Sequence, residues 1–356
     1  MQLFKCQVCA QLLYFENSRC EKCSHVLGYE PAQNRLLALE AQDTIWKAAN
    51  NSDARYKFCS NATYGVCNWL IEAASPETFC RACRHNGIIP DLSQPQNVAN
   101  WQKIEIAKHR LFYTLLRLDL PLQTRAESPE GLIFNFLADQ PGAQSAPVMT
   151  GHDSGLVTMS LAEADDVERE RRRSLMGEPY RTLLGHFRHE VGHYFWDRLV
   201  RDTGAEDECR AVFGDHTANY EEALQIYYSQ GAPADWQTNF VSAYATSHPW
   251  EDFAETFAHY LHIMDTLEMA RAFSLHVEPR IDGSGELEAN IDFNPYRMKD
   301  FTNIVDNWLP MSFALNSINR CMGQPDFYPF ILSPPAIAKL QYVHDLVGRP
   351  RQAMAA

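Results

Sequence analysis

The segment His189-Glu190-Val191-Gly192-His193 sets two imidazoles four residues apart with a carboxylate beside the first. On an α-helix this spacing puts His189 and His193 about 40° apart on one face, where both can reach a single metal ion. Glu190 then points beside such an ion, toward a water that the ion would activate, which is where a general base must stand. The expected chemistry is metal-assisted hydrolysis, with the carboxylate taking the proton of water and returning it to a leaving amine. In a chain with 13 histidines the string alone would arise by chance in roughly a few per cent of cases, so its surroundings decide. Leu184, Phe187, Val191 and Phe195 form one apolar stripe, and the two histidines fall on nearly the opposite face with Thr182, His186 and Trp196. That mixed face suits a cleft wall better than a packed core or a solvated surface.

Two histidines need a third ligand, and the stretch HPWEDFAETFAHYLH at 248–262 supplies candidates. Pro249 suits a first helical turn. On that helix Glu251, Glu255 and His262 share a face, while Phe253, Phe257, Leu261 and Met264 form the opposite stripe. One glutamate is expected to bind the ion and the other, a turn away, to hydrogen-bond a liganding histidine. A preference of the helix dipole for acidic first turns would account for Glu251 and Asp252, though not readily for Glu255. Should neither glutamate bind, His259 and Asp252 are the next candidates.

Eight of the ten cysteines lie in the first quarter of the chain. Cys6 and Cys9, then Cys20 and Cys23, form two CxxC knuckles around a segment long enough for a short hairpin, which is zinc-ribbon spacing. Four thiolates fill tetrahedral zinc and leave no open position, so the site is expected to be structural. Cys59, Cys67, Cys80 and Cys83 form a second, less regular set for a second structural zinc. His85 could replace one upstream thiol there, and buried unliganded cysteine is the plain alternative.

The elements that must position these groups follow from composition and punctuation. The 356 residues, 46% of them apolar, suffice for a sizeable core in two or three units. No run of about 18 apolar residues would span a membrane, and the N-terminus lacks the pattern of a secretory signal. A cytoplasmic, reducing location is expected, in which clustered thiols serve as metal ligands. With 31 basic and 45 acidic residues the formal charge is −14, which disfavours nucleic acid and anionic membranes as partners. The charge run at 169–173, with Glu168 and Glu170 interleaved, reads as a solvated helix face. The turn-rich stretch 91–100 closes the cysteine-rich region, and a helix is expected from near Trp101 to 118. Strand-like runs follow at 131–137 and 155–160 around the loop DQPGAQSAP, then mainly helices, including 300–322 and 334–347, the latter capped by Ser333 and ended by Gly348. This order argues for an α+β fold. The expected divisions are a zinc ribbon at 1–28, a second cysteine-rich module at 29–92, a catalytic domain at 93–275 and a mostly helical C-terminal extension at 276–356.

The passages CSNATYGVCNWL (59–70), TGHDSGLVTMSLAEADD (150–166), YRTLLGHFRHEVGHYFWDRLV (180–200) and VSAYATSHPWEDFAETFAHYLHIMDTLE (241–268) together resemble a bacterial family of zinc-binding metallopeptidases with an N-terminal zinc ribbon. The resemblance covers most of residues 1–275. It implies a zincin-like catalytic domain preceded by a small rubredoxin-like zinc-ribbon region. The ExxxE pattern after HExxH also looks like the gluzincin arrangement, and EDFAE is similar to the corresponding segment of anthrax lethal factor. Carried over, Glu251 is the ligand, Glu255 its partner on histidine, and Tyr244, seven residues before Glu251, an oxyanion donor. The same resemblance suggests that the strand at 155–160 is an edge strand that pairs with an extended substrate.

Three functions compete. The leading expectation is a zinc hydrolase of peptide or isopeptide bonds acting on a peptide or protein, with Zn2+ on His189, His193 and Glu251. The second is a catalytically silent zinc-ribbon adaptor, which loss of Glu190 or of a ligand would have favoured. The third is a small-molecule amidohydrolase, which a closed pocket would favour over an open groove.

Overall fold

The computed structural model describes residues 1–49, 53–138, 148–176, 181–281 and 283–350, with the side chains of 175 and 176 left aside. The loop DQPGAQSAP and Tyr180 lie outside the described residues. The chain is mixed helix and sheet and divides into two compact units, Met1–Phe187 and Arg188–Ala356. Among the described residues no helix is long and apolar enough to cross a membrane.

In the first unit a two-stranded hairpin, β1 (Phe4–Lys5) and β2 (Leu12–Leu13), encloses the first cysteine knuckle, Cys6–Cys9, instead of lying between the two knuckles. A five-stranded antiparallel sheet follows in chain order: β3 (Val26–Glu30), β4 (Arg35–Gln42), β5 (Ile45–Ala48), β6 (Arg55–Phe58) and β7 (Leu70–Glu72). Its inner face packs Leu37, Leu39, Ala48, Tyr56 and Leu70. The sheet curls, because Tyr29 of β3 bridges Trp69 beside β7. The approach is so close that a Cβ on Gly28 would stand 2.5 Å from Leu70 Cδ2, which leaves glycine as the residue that fits. Since β3 runs through residue 28, the expected division between a ribbon and a second module falls inside a strand.

Helix α1 (Pro95–Arg117) lies against this cysteine-rich region through an aromatic cluster. Phe15 meets Tyr29 at 4.7 Å and Tyr113 of α1 at 5.3 Å between ring centroids, and Tyr29 meets Trp69 at 4.8 Å. The helix starts six residues before Trp101, because Pro95 at its first position needs no amide partner and has φ preset for helix. The strands β8 (Ile133–Leu137), β9 (Gly151–Asp153) and β10 (Leu156–Ser160) form a second sheet in the order β8-β10-β9. Strand β10 is therefore central, parallel to β8 and antiparallel to β9, and its backbone is already paired on both sides. The expectation that 155–160 is a substrate-pairing edge strand is thus corrected, since β9 holds that edge. Helix α2 (Asp166–Met176) carries the charge run as paired salt bridges, among them Arg171 with Glu168 at 2.7 Å and Arg173 with Glu170 at 2.6 Å.

The division between units falls within α3 (Leu183–Trp196), inside the range 93–275 expected as one catalytic domain. In the second unit α3 ends in a wide turn at Asp197–Arg201, followed by α4 (Glu206–Phe213), α5 (Tyr220–Gln230) and α6 (Pro249–Ala272). Helix α6 is the centre of this unit and is buried on all sides, its apolar stripe of Phe253, Phe257, Leu261 and Met264 being inaccessible. A short hairpin, β11 (His276–Val277) with β12 (Ala289–Asn290), precedes α7 (Phe301–Cys321) and α8 (Pro334–Gly348), capped by Asp300 and Ser333. Helix α8 packs on α6, where Lys339 donates to Asp252 at 2.6 Å inside the core.

Candidate functional site

The site grows from the approach of α3 to α6. A Cβ on Gly192 would stand 2.8 Å from Ala254 Cα and 3.0 Å from its carbonyl oxygen, so the absence of a side chain there lets the two backbones touch. This contact sets the first turns of α6 beside the histidines of α3. Ligand atoms of His189, His193 and Glu251 all lie within 4.8 Å of one another. Oε2 of Glu251 faces His189 Nε2 at 3.0 Å and His193 Nε2 at 3.5 Å, buried and without an aligned hydrogen bond. Three ligand atoms converging on one point in this way make a donor set that fits zinc.

Glu255, one turn on, accepts from His189 Nδ1 at 2.7 Å, and Ser242 Oγ donates to its other oxygen at 2.5 Å. The first contact fixes the imidazole tautomer that leaves Nε2 free to ligate. Ser242 is itself held by the amide of Ala245, which donates to its Oγ at 3.1 Å. On Glu251 the oxygen turned away from the histidines accepts from Tyr220 Oη at 2.6 Å. Trp250 lies over His193 at 3.9 Å between centroids, and Tyr244 sits 5.8 Å from the His189 ring.

The electrostatics favour a cation at this point. Burial would raise Glu251, yet His193 and His189 hold its carboxyl well below the usual range. Burial would likewise favour neutral His189, but Glu251 and Glu255 outweigh it and hold the imidazole well above its ordinary value. Glu190 is pushed up by burial, opposed by His189 and His193. A carboxyl so placed holds a proton more readily than one in water, which suits a group that must take a proton and give it back.

The reserve candidates are engaged elsewhere. Asp252 faces Lys339, and His259 Nδ1 lies 2.7 Å from Tyr328 Oη, with burial pushing the imidazole down to about 4. His262 faces Arg188, whose guanidinium also pairs with Asp265.

In the first unit both cysteine sets converge. Cys6 and Cys23 approach to 3.5 Å and Cys9 and Cys20 to 3.6 Å between sulfurs, and the backbone amide of Cys23 heads the groups that hold Cys20 down to about 6. Cys59, Cys67, Cys80 and Cys83 also lie within 4.8 Å of one another, and the amides of Trp69, Cys80 and Cys83 each donate to a sulfur at 3.4 Å. His85 does not join them: its Nδ1 is 2.8 Å from Leu132 O and its ring lies 5.0 Å from that of Phe112. His109 of α1 does, with Nε2 3.3 Å from Cys67 Sγ and 3.7 Å from Cys83 Sγ.

Sequence reasoning passed over Tyr220, Ser242, Gly192 and His109. Only Gly192 carried a signal, a glycine inside an otherwise unbroken helix, which implies close backbone approach. The others are met only through tertiary contact.

Residues 97–346 match the family described as "Putative zinc-binding metallo-peptidase", and residues 3–94 match a zinc-ribbon domain. The family match runs through α7 and α8, so the helices after residue 275 are part of the family domain. Proteins of Mycobacterium bovis and of two strains of Mycobacterium tuberculosis, each called an uncharacterized protein, are 39% identical over 349 residues, covering 98% of this chain and 95% of theirs. No solved structure matches the chain.

Proposed function

This chain belongs to the zinc-binding metallopeptidase family, and from that premise we propose that it is a zinc-dependent hydrolase of peptide or isopeptide bonds, with a zincin-like catalytic domain of gluzincin type. The observation that carries the reading is the convergence of half-buried His189 with buried His193 and Glu251, with Glu190 beside His189 on α3. His189 Nε2, His193 Nε2 and Glu251 Oε2 would hold the ion. Zinc, when bound, supplies a Lewis acid for the scissile carbonyl and lowers the pKa of water to about 7.

The protein's own groups do the rest. Glu190 takes the proton of the attacking water, holds it on its buried carboxyl, and passes it to the amine as the C–N bond breaks. Glu255 and Ser242 keep His189 in one tautomer and one orientation through turnover. Tyr244, beside His189, is the donor proposed for the oxygen that gains charge at the carbonyl carbon. The two four-cysteine sets are assigned structural zinc ions, each closed to substrate. A peptide or protein is the expected partner.

The test is a survey of new protein termini in cell extract treated with the wild type and with Glu190→Gln. Termini made by the wild type alone support a peptidase. A Glu190→Gln protein that retains the full biological effect would instead make the chain a binding protein on a peptidase fold.

A further inference from the structure

Helix α5 runs from Tyr220 to Gln230 with no residue fully buried; Tyr220, Ala223, Leu224 and Tyr227 are half-buried along one face. Helices of globular proteins owe most of their stability to one packed face. In α5 that face is only half-buried, and both of its ends touch the candidate site. Tyr220 Oη donates to Glu251 Oε1 at 2.6 Å, and its ring meets Trp250 at 5.8 Å and His248 at 5.3 Å. At the other end Tyr227 meets Tyr244 at 5.6 Å. The segment bearing α5 lies between Gly214 and Gly231, at φ of 99° and 77°, values that side-chain-bearing residues rarely adopt.

We propose that Tyr220 is a positioning residue for the metal ion, and that α5 is a latch whose docking and whose release are coupled to the ion through Glu251. The inference rests on the zinc reading of His189, His193 and Glu251. The carboxylate of Glu251 has two oxygens, and a metal ion could take either or both. Tyr220 occupies Oε1, so Oε2 alone is left facing the histidines. With Oε1 so engaged, Glu251 would offer the ion one oxygen in preference to two. When α5 lifts away, Oε1 loses its donor, the carboxylate can rotate, and the arrangement of ligands changes. Access to the site and the state of its metal would then be set by one hydroxyl.

Coupling of this kind is reciprocal. If docked α5 strengthens metal binding by some factor, then bound metal must favour docked α5 by the same factor. The experiment reads both sides without requiring activity. The ion of this site is identified as the one lost from His189→Ala. In Tyr220→Phe, which keeps the ring and removes the hydroxyl, chelator competition should show that ion held about 10 to 100-fold more weakly. With cobalt in its place, the visible spectrum should change toward higher coordination number, which a merely structural role for Tyr220 would not produce. Amide exchange along α5 should slow on metal loading in the wild type and lose that dependence in Tyr220→Phe. Unchanged affinity with an unchanged cobalt spectrum, or α5 exchange indifferent to metal in the wild type, overturns the proposal and leaves the zinc reading standing. A His189→Ala protein that loses no metal overturns both.

Discussion

Replacing Gly192 with alanine separates two effects that usually run together. In a helix interior alanine is favoured over glycine by about 1 kcal/mol, so on propensity alone Gly192→Ala should stabilise the protein. The structure says otherwise, because the new methyl would stand 2.8 Å from Ala254 Cα and 3.0 Å from its carbonyl oxygen. Both are backbone atoms of α6, so no side chain can rotate out of the way. Restoring ordinary contact at about 3.4 Å requires α3 and α6 to part by about 0.6 Å, and overpacking of this kind costs about 1 to 3 kcal/mol. The ligand set straddles the same contact, with His189 and His193 on α3 and Glu251 on α6. Metal sites tolerate about 0.2 Å in ligand distance, so the same displacement should weaken zinc by an order of magnitude or more. The assay is thermal unfolding of the metal-free protein alongside chelator competition for the ion that His189→Ala loses. A Gly192→Ala protein that melts higher and holds the ion as tightly as the wild type would refute the reasoning, and with it the claim that the α3–α6 approach builds the site.

Other substitutions test separate parts of the structure. Glu190→Gln should keep fold and metal while lowering turnover by at least 100 to 10,000-fold, measured on any peptide the wild type cleaves, since proton transfer is what the carboxylate supplies. Glu251→Ala should lose the ion outright, whereas Glu255→Ala should weaken it by about 10 to 100-fold in metal analysis after dialysis; the reverse order would exchange the two roles. Cys67→Ser and Cys6→Ser should lower the yield of folded protein in reducing buffer, because structural zinc contributes folding energy, and well-folded variants would show those sets to be dispensable. Lys339→Met should destabilise the second unit in denaturant unfolding by up to about 3 to 5 kcal/mol at pH 8 and by less at pH 5, because burial already pushes Asp252 up to about 7 and its protonated form needs no cation.

The sequence was most legible where the chemistry needs a fixed local spacing. The four-residue step from His189 to His193 and the paired cysteines are recognisable because helix and knuckle geometry alone bring such residues together. The cap of α8 was equally plain, as Ser333 accepts from the amide of Ala336, whereas Asp300, read as the start of its helix, is the cap of α7. Punctuation misled at 91–100, where Pro95 looks like a loop residue and is the first residue of α1. The place of β10 in its sheet could not be read at all, because its neighbour β9 is only Gly151–Asp153, too short to show an alternating pattern.

What escaped the sequence has one physical character. Tyr220, Ser242 and His109 act at sequence separations of 31, 13 and 42 residues from the atoms they bond, and none lies on the element it serves. A hydroxyl thirty residues upstream of a carboxylate has no periodicity to betray it. The helix that carries it is only weakly marked, since α5 buries no residue fully and half-buries a short stripe of Tyr220, Ala223, Leu224 and Tyr227. Residues that fix which oxygen of a ligand faces the ion are thus written into the fold through contacts and not through pattern. Here they attach to the least packed helix around the site, so stability and metal chemistry should respond differently to the same change: loosening α5 should leave the core of α6 intact and still be felt at Glu251.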